Sequence, residues 1–209
     1  MPGSARMSEK QEAAMKRITK RRGCCTALML WLIAGVLVIW GVRGASDRYY
    51  RMAYPTRYQQ QVERYCREFD VDPDLVYAVI RTESSFRPDA TSSIGARGLM
   101  QLTEDTFHWV KSKLEPEAGT SYDEMYDPET NIRYGVYLLS ALTAQFGSVN
   151  NALCAYHAGW GNATAWLNDP EYSSGGEIRN IPFEDTAFYV QKVQDTREIY
   201  QNLYGQDAL

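Results

Sequence analysis

Residues 72–101, DPDLVYAVIRTESSFRPDATSSIGARGLMQ, contain the signals that decide the fold of this chain. Asp72 and Pro73 predict a helix start, because an aspartate side chain caps free N–H groups and proline has no N–H to leave unpaired. Four residues then share one helical face at i, i+3, i+4 and i+7: Val76, Val79, Ile80 and Glu83. The stretch therefore predicts a core helix whose apolar face ends in a carboxylic acid.

Glu83 is the first candidate for chemistry. A glutamate that continues an apolar face is partly desolvated, and near a helix C-terminus it also feels the negative end of the helix dipole. Both effects disfavour the ionised form and raise the pKa, which favours a general acid near neutral pH. The ordinary alternative is a glutamate at a frayed helix end. The loop that follows contains Gly95 and Gly98, which let a backbone approach a ligand, and the amide of Gln101, which can both donate and accept.

The whole string resembles the signature of the soluble lytic transglycosylase family, within the goose-type lysozyme clan. The signature is carried by Glu-Ser-x-Phe from Glu83, a following x-Pro, and Gly-Ala-x-Gly-Leu-Met-Gln ending at Gln101. Three further blocks follow in the family's order: Asn131 to Leu138, Ala155 to Gly159, and Ile181 to Val193. The resemblance spans roughly residues 70–200, and four blocks in order make it far more specific than one.

The resemblance implies a lysozyme-like fold and cleavage of peptidoglycan glycan strands between N-acetylmuramic acid and N-acetylglucosamine, with formation of a 1,6-anhydro sugar. It assigns Glu83 the role of general acid and then general base. This agrees with the absence of an obvious second catalytic carboxylate, which most glycosidases need. The resemblance also implies six substrate-binding residues: Ser92, Met100, Gln101, Tyr156, His157 and Tyr189. For the two tyrosines, a buried hydroxyl with a backbone partner is the structural alternative.

His157 departs from the family pattern, which usually has asparagine after the first tyrosine. A neutral imidazole both donates and accepts, as an amide does, but its charge changes near pH 6 to 7. We therefore hypothesise that His157 replaces the amide contact and makes glycan binding more sensitive to pH.

Two alternatives to the transglycosylase remain at this stage. A lysozyme-type muramidase of the same clan would add water instead of closing the anhydro ring. A wall-binding scaffold would keep the fold without catalysis.

The charge of the chain is unevenly distributed. Residues 1–22 carry seven Lys/Arg and two Asp/Glu, whereas residues 45–209 carry fourteen and twenty-four. An acidic main domain argues against a nucleic-acid partner, because phosphate binding needs clustered basic side chains. No Cys/His spacing typical of a zinc site is present in the sequence, so neither a metal nor another cofactor is expected.

Residues 24–42, CCTALMLWLIAGVLVIWGV, carry no charge. As a helix they would span roughly 28 Å, about one hydrocarbon core. Basic residues cluster before the run, which predicts a cytoplasmic N-terminus and a catalytic domain on the outer, cell-wall or periplasmic, side. A cleavable signal peptide is the competing interpretation. The run is long for a signal core and lacks a good cleavage site, which favours an uncleaved anchor.

The predicted fold class is all-α with a very small β element within residues 87–98, preceded by one transmembrane helix. The predicted organisation is a basic cytoplasmic segment (1–22), a transmembrane signal anchor (23–43), a tether and packing helix (44–69) and a lysozyme-like domain (70–209). Besides the helix at Asp72, helices are predicted to start at Pro55, Thr103, Asp127 and Ser148, around Ala165 and after Phe183, with loops at 115–126 and 168–180.

Cys66 and Cys154 each lie on an apolar helical face. A disulfide between them requires an oxidising compartment, and two buried free thiols are the alternative.

Overall fold

The computed structural model describes residue 31 and residues 33–205, which fall into two units divided after Ala53. In the first unit, residues 33–53 form a helix, α1. Residues 23–30 and Leu32 of the predicted membrane anchor lie outside the described residues, as does the basic segment 1–22. Of the helices formed by the described residues, none has the length and apolar character needed to cross a bilayer.

The second unit, from Tyr54, is built almost entirely of helices, as the sequence predicts. Its α-helices are α2 (Gln59–Phe69), α3 (Pro73–Ser84), α4 (Glu104–Leu114), α5 (Pro128–Phe146), α6 (Val149–Ala158), α7 (Trp160–Leu167) and α8 (Glu184–Tyr204).

Four of the predicted helix starts are confirmed with their caps. The capping side chains of Asp72, Thr103, Asp127 and Ser148 accept hydrogen bonds from backbone N–H groups in the first turns of α3 to α6. The helix predicted to begin at Pro55 instead begins at Gln59, because Tyr58 has a φ of 60°, a left-handed conformation that a helix cannot continue through.

The β structure differs from the prediction. The predicted loop 168–180 contains a short antiparallel hairpin, β1 (Ser173–Ser174) and β2 (Glu177–Ile178), turned by Gly175 and Gly176 at positive φ. Within the predicted range 87–98 the chain forms only isolated bridges, from Arg97 to Thr91 and to Leu102. The predicted loop 115–126 also holds a 3₁₀ helix, Tyr122–Tyr126.

Helix α3, which carries Glu83, is buried along most of its length. Val76, Val79 and Ile80 are fully buried as predicted, but burial extends over every residue from Leu75 to Ile80. The reason is that α3 packs most extensively against α8 and also contacts α2. An ion pair between Arg197 of α8 and the capping carboxylate of Asp72 fastens the start of α3. The helix that carries Glu83 is thus positioned by its packing against α8 and α2.

Cys66 and Cys154 are both buried and unpaired, so the free-thiol alternative is confirmed and the disulfide alternative is wrong. Burial raises the pKa of each thiol to about 12, which keeps both protonated and unreactive at neutral pH.

Candidate active site

Glu83 lies in the last turn of α3, one residue before the helix ends, and is half-buried. Burial raises the pKa of its carboxyl from an ordinary 4.5 to about 7, while the hydroxyl of Tyr189 and the ammonium of Lys192 each lower it in part. Burial therefore has the larger effect. A carboxyl with this pKa is substantially protonated at neutral pH and is also readily ionised, which suits a group that both gives and takes a proton.

Two tyrosines flank this carboxyl. The rings of Tyr156 on α6 and Tyr189 on α8 are stacked with centroids 6.5 Å apart. The Tyr156 hydroxyl donates to the carbonyl of Met100 at 2.6 Å, so the backbone-partner alternative holds for this residue. The buried Tyr189 hydroxyl lies beside Glu83 but makes no regular hydrogen bond within the described residues. Burial first, and then the charge of Glu83, raises the pKa of both phenols, so both stay neutral.

His157 lies at the edge of the same cluster. Its ring stacks on Tyr189 at 4.5 Å between centroids, and its Nδ1 is 3.0 Å from the hydroxyl of Thr186. Burial lowers the pKa of the imidazole from 6.5, and the carboxylate of Asp185 opposes that shift only in part. The ring is therefore neutral at pH 7.

The loop after α3, residues 85–101, is called the signature loop below. The amide of Asn131 holds it: the side-chain nitrogen donates to the carbonyls of Arg97 and Met125, and the oxygen accepts from the N–H of Met100. Asn131 is fully buried. Gly98 passes so close that a Cβ there would lie 2.0 Å from the Met125 carbonyl oxygen. Glycine is thus required at this position by packing as well as by its φ of 77°.

Three predicted binding residues lie on the signature loop. The side chain of Met100 is fully buried and packs directly against Gly135 of α5, so it anchors the signature loop to that helix. The side-chain nitrogen of Gln101 donates to the carbonyls of Ala90 and Gly98, which leaves its oxygen to accept from a ligand. The hydroxyl of Ser92 accepts from the N–H of Ala96 at 3.0 Å, inside a turn.

The structure adds functional positions that sequence reasoning missed. Ser84 is buried beside Glu83, and its hydroxyl donates to the carbonyl of Leu99 at 2.8 Å. Lys192 acts on the pKa of Glu83 from α8. The only sequence signal for Ser84 was its position directly after Glu83 in the family signature. The only sequence signal for Asn131 was its position at the start of the second family block, Asn131 to Leu138. Lys192 is exposed, and its only sequence signal was its place in the fourth block, Ile181 to Val193.

A cavity of about 480 Å³ opens beside this cluster, with Tyr156 in its wall. The nine residues around it are Asp105, Thr106, Trp109, Leu138, Leu142, Ala155, Tyr156, Gly159 and Trp160. Its volume lies within the range of roughly 300–1,000 Å³ that is usual for ligand sites.

The chemistry available is that of a single carboxylic acid. No carboxylate among residues 31 and 33–205 contributes to the pKa of Glu83, since its causes are burial, Tyr189 and Lys192. Over the same described residues, no group of three or more His, Cys, Asp or Glu side chains is placed to hold a metal ion. The arrangement can donate a proton to a buried acceptor and take one back.

Comparison with known proteins agrees with this fold. The chain matches the transglycosylase SLT domain family over residues 61–177 and belongs to that family. It is 33% identical over 159 residues to a soluble lytic murein transglycosylase of Salmonella typhimurium, covering 73% of this chain and 24% of the relative. The chain thus spans about a quarter of that relative's length.

Two further proteins are similar to this chain over a comparable share of its length. A membrane-bound lytic murein transglycosylase C of Yersinia pestis is 33% identical over 167 residues, covering 69% of this chain and 47% of the relative. The solved structure of lytic transglycosylase Slt from Pseudomonas aeruginosa, an inactive glutamate-to-glutamine mutant, superposes with a TM-score of 0.65 at 31% identity. That match covers 73% of this chain and 25% of the other. The expected lysozyme-like helical domain is confirmed.

Proposed function

We propose that this protein is a peptidoglycan lytic transglycosylase that cleaves the β-1,4 bond between N-acetylmuramic acid and N-acetylglucosamine. The observation that carries the proposal is Glu83, a half-buried carboxyl with a pKa raised to about 7 and with no second carboxylate acting on it. Membership of the transglycosylase SLT domain family and the names of the relatives support the substrate class.

In the proposed reaction, protonated Glu83 donates its proton to the glycosidic oxygen as the C1–O bond breaks. The N-acetyl group of the muramic acid assists at the cationic carbon that develops. The Glu83 carboxylate then takes the proton of the C6 hydroxyl, and O6 forms a bond to C1. The product is a 1,6-anhydro sugar, no water is consumed, and Glu83 ends protonated as it began.

Six residues complete the proposed substrate site. Tyr189 and Lys192 partly offset the rise in the pKa of Glu83 that burial causes, and His157 replaces the family's amide contact with the glycan. The Gln101 oxygen accepts from a sugar group, and Ser92 and Met100 hold the loop that presents it.

The decisive experiment digests purified, reduced peptidoglycan with the full chain and weighs the products. Anhydro ends are expected, and their loss in Glu83→Gln is expected to be complete. Glu198→Gln, an exposed glutamate on α8, is the matched control and keeps the activity. Products with reducing ends would instead identify a muramidase, and glycan binding without any cleavage would identify a scaffold.

We also propose that the chain is held in the plasma (inner) membrane by residues 23–43, with its N-terminus in the cytoplasm and the domain from residue 45 outward. The uncharged run, the basic residues before it and the membrane-bound Yersinia relative support this. Fractionation of cells that express the full chain, or a chain starting at residue 45, tests it. The full chain should stay with membranes through alkaline extraction and the shortened chain should not.

A further inference from the structure

The side chain of His157 is exposed, yet its ring has two fixed contacts with α8. The ring stacks on that of Tyr189 with centroids 4.5 Å apart and an angle of 29° between the planes. Its Nδ1 lies 3.0 Å from the hydroxyl oxygen of Thr186, in the first turn of α8. The other ring nitrogen, Nε2, makes no hydrogen bond to any residue that the structure describes. The two nitrogens therefore stand in different environments, one bound within the domain and one left for a ligand.

The hydroxyl of Thr186 decides which of the two nitrogens carries the proton. Thr186 is only 1% exposed, so its hydroxyl is shielded from bulk water. Within residues 31 and 33–205, Nδ1 of His157 is the one hydrogen-bond partner of this hydroxyl. If Nδ1 donated the bond, the hydroxyl proton would be buried without an acceptor, which is unfavourable. The hydroxyl therefore donates to Nδ1, and the proton of the neutral ring lies on Nε2.

Asp185 is the other group that could orient the ring, because carboxylates commonly fix an imidazole tautomer. Its charge does act on the pKa of His157. Its Oδ1, however, accepts a hydrogen bond from the backbone N–H of Thr186 at 2.8 Å. Among the described residues, no hydrogen bond joins this carboxylate to the imidazole. The hydroxyl of Thr186 is thus the group that orients the ring.

The stack on Tyr189 fixes the plane of the same ring. Tyr189 is buried, and its hydroxyl lies beside Glu83, so the imidazole is held close to the proposed acid. A ring that is fixed at one face and at one nitrogen loses little freedom when a ligand binds. An asparagine amide at this position could donate or accept, whereas the Nε2–H edge of His157 can only donate.

We propose that Thr186 is a positioning residue that fixes His157 in the Nε2–H tautomer, so that the imidazole acts only as a hydrogen-bond donor to an oxygen of the glycan. The inference rests on the proposed function for the identity of the ligand. The tautomer itself is a property of the protein without substrate and is measured separately.

The test reads the tautomer by nitrogen NMR of the full chain labelled with ¹⁵N-histidine, at about pH 8, where the ring is neutral. The chain has two histidines, and His157→Asn identifies the signals of His157. In the wild type, Nε2 should show the chemical shift of a protonated nitrogen and Nδ1 that of an unprotonated one. Thr186→Val replaces the hydroxyl by a methyl group of similar size. In this variant the two shifts should move toward each other, because both tautomers are then populated.

Two further variants separate the hydroxyl from its surroundings. Thr186→Ser keeps a hydroxyl and should keep the wild-type shifts. Asp185→Asn removes the nearby charge and should also keep them, since the carboxylate does not bond to the ring. On peptidoglycan, Thr186→Val should raise KM about threefold and leave kcat within about twofold, as expected for one weakened neutral hydrogen bond away from the acid. Thr186→Ser should restore the wild-type KM.

Several results would overturn the proposal. A wild-type ring with its proton on Nδ1 would do so, as would equal shifts in Thr186→Val and the wild type. Mixed tautomers in Asp185→Asn would show that the carboxylate orients the ring instead. Mixed tautomers in Thr186→Val with an unchanged KM would refute the donor contact with the glycan. Failure of the proposed function would show separately, as the absence of anhydro products from the wild type, and would leave the tautomer unchanged.

Discussion

The hydroxyl of Ser84 donates a 2.8 Å hydrogen bond to the carbonyl of Leu99 and so joins the end of α3 to the signature loop. Ser84 directly follows Glu83, and the loop leads to Gln101. The bond therefore fixes the position of the acid relative to the loop that faces it.

Ser84→Ala should lower the free energy of unfolding by about 1–2 kcal/mol, because the buried Leu99 carbonyl loses its side-chain donor. The loop should also loosen, so cleavage should weaken. Urea denaturation measures the change in stability, and the rate of product release from peptidoglycan measures the change in cleavage. The neighbouring Ser85→Ala is the control, since Ser85 is exposed and its loss should change stability by no more than about 0.5 kcal/mol.

Gly98→Ala should destabilise the domain by about 2–4 kcal/mol, because the new methyl group collides with the Met125 carbonyl and the Asn131 amide. Gly95→Ala is a matched control: Gly95 also has a positive φ, 83°, but a Cβ there meets nothing within 4 Å. It should show only the conformational cost, about 1–2 kcal/mol. Equal denaturation midpoints for the two variants would contradict the packing described.

Glu83 should make the stability of the protein depend on pH. Folding raises its pKa from 4.5 to about 7, so the folded state favours the protonated form. This contribution is complete below pH 4.5 and is lost as pH rises through 7. In Glu83→Gln the side chain cannot ionise, so this loss of stability with rising pH does not occur. Between pH 5 and pH 8, the free energy of unfolding of the variant should therefore rise by about 2 kcal/mol relative to that of the wild type. A difference that stays constant over this range would argue against the raised pKa.

Lys192→Met should move the alkaline limb of the cleavage profile to higher pH. The ammonium lowers the pKa of Glu83, so its removal lets burial raise that pKa further and keeps the acid protonated longer. Muropeptide release between pH 6 and pH 9 measures the limb. Lys192→Arg keeps the charge and should keep the wild-type limb. A Lys192→Met limb that moves to lower pH would refute this account.

His157→Asn should alter the pH dependence of cleavage only on the acid side. Burial lowers the pKa of His157 from 6.5, so the ring is neutral above that pH and gains charge only as pH falls further. Asparagine cannot gain this charge, so the fall in cleavage activity at low pH should be smaller in the variant. Profiles that coincide from pH 4 to pH 9 would show that His157 does not make cleavage more sensitive to pH.

Local chemistry made much of the fold predictable. The caps Asp72 and Thr103 act within a few residues of their own position, so the sequence displays them directly. The late start of α2 depends on the left-handed conformation of Tyr58, which its residue type does not indicate. The Gly175–Gly176 pair is a hairpin-turn signal, but the strands beside it have only two residues each and show no alternating pattern.

The site was predictable only in part, for a related reason. Glu83 could be found because an acid on an apolar face is unusual within one helix. Its partners Tyr189 and Lys192 lie on α8, and their effect depends on the packing of α3 against α8. Without the family blocks, no spacing in the sequence brings these residues together. The substrate contacts assigned to Ser92, Gln101 and His157 stay predictions.

The contact between α3 and α8 also sets the order in which the protein becomes active. Asp72 and Arg197 are 125 positions apart, and the helix that contains Arg197 also supplies Tyr189. A ribosome must therefore release almost the whole domain before the acid acquires its buried environment. Before α8 is made, Glu83 lacks the effects of Tyr189 and Lys192, because both residues lie on that helix. The glycan-cutting chemistry proposed above thus begins only after α8 has been synthesised and packed against α3.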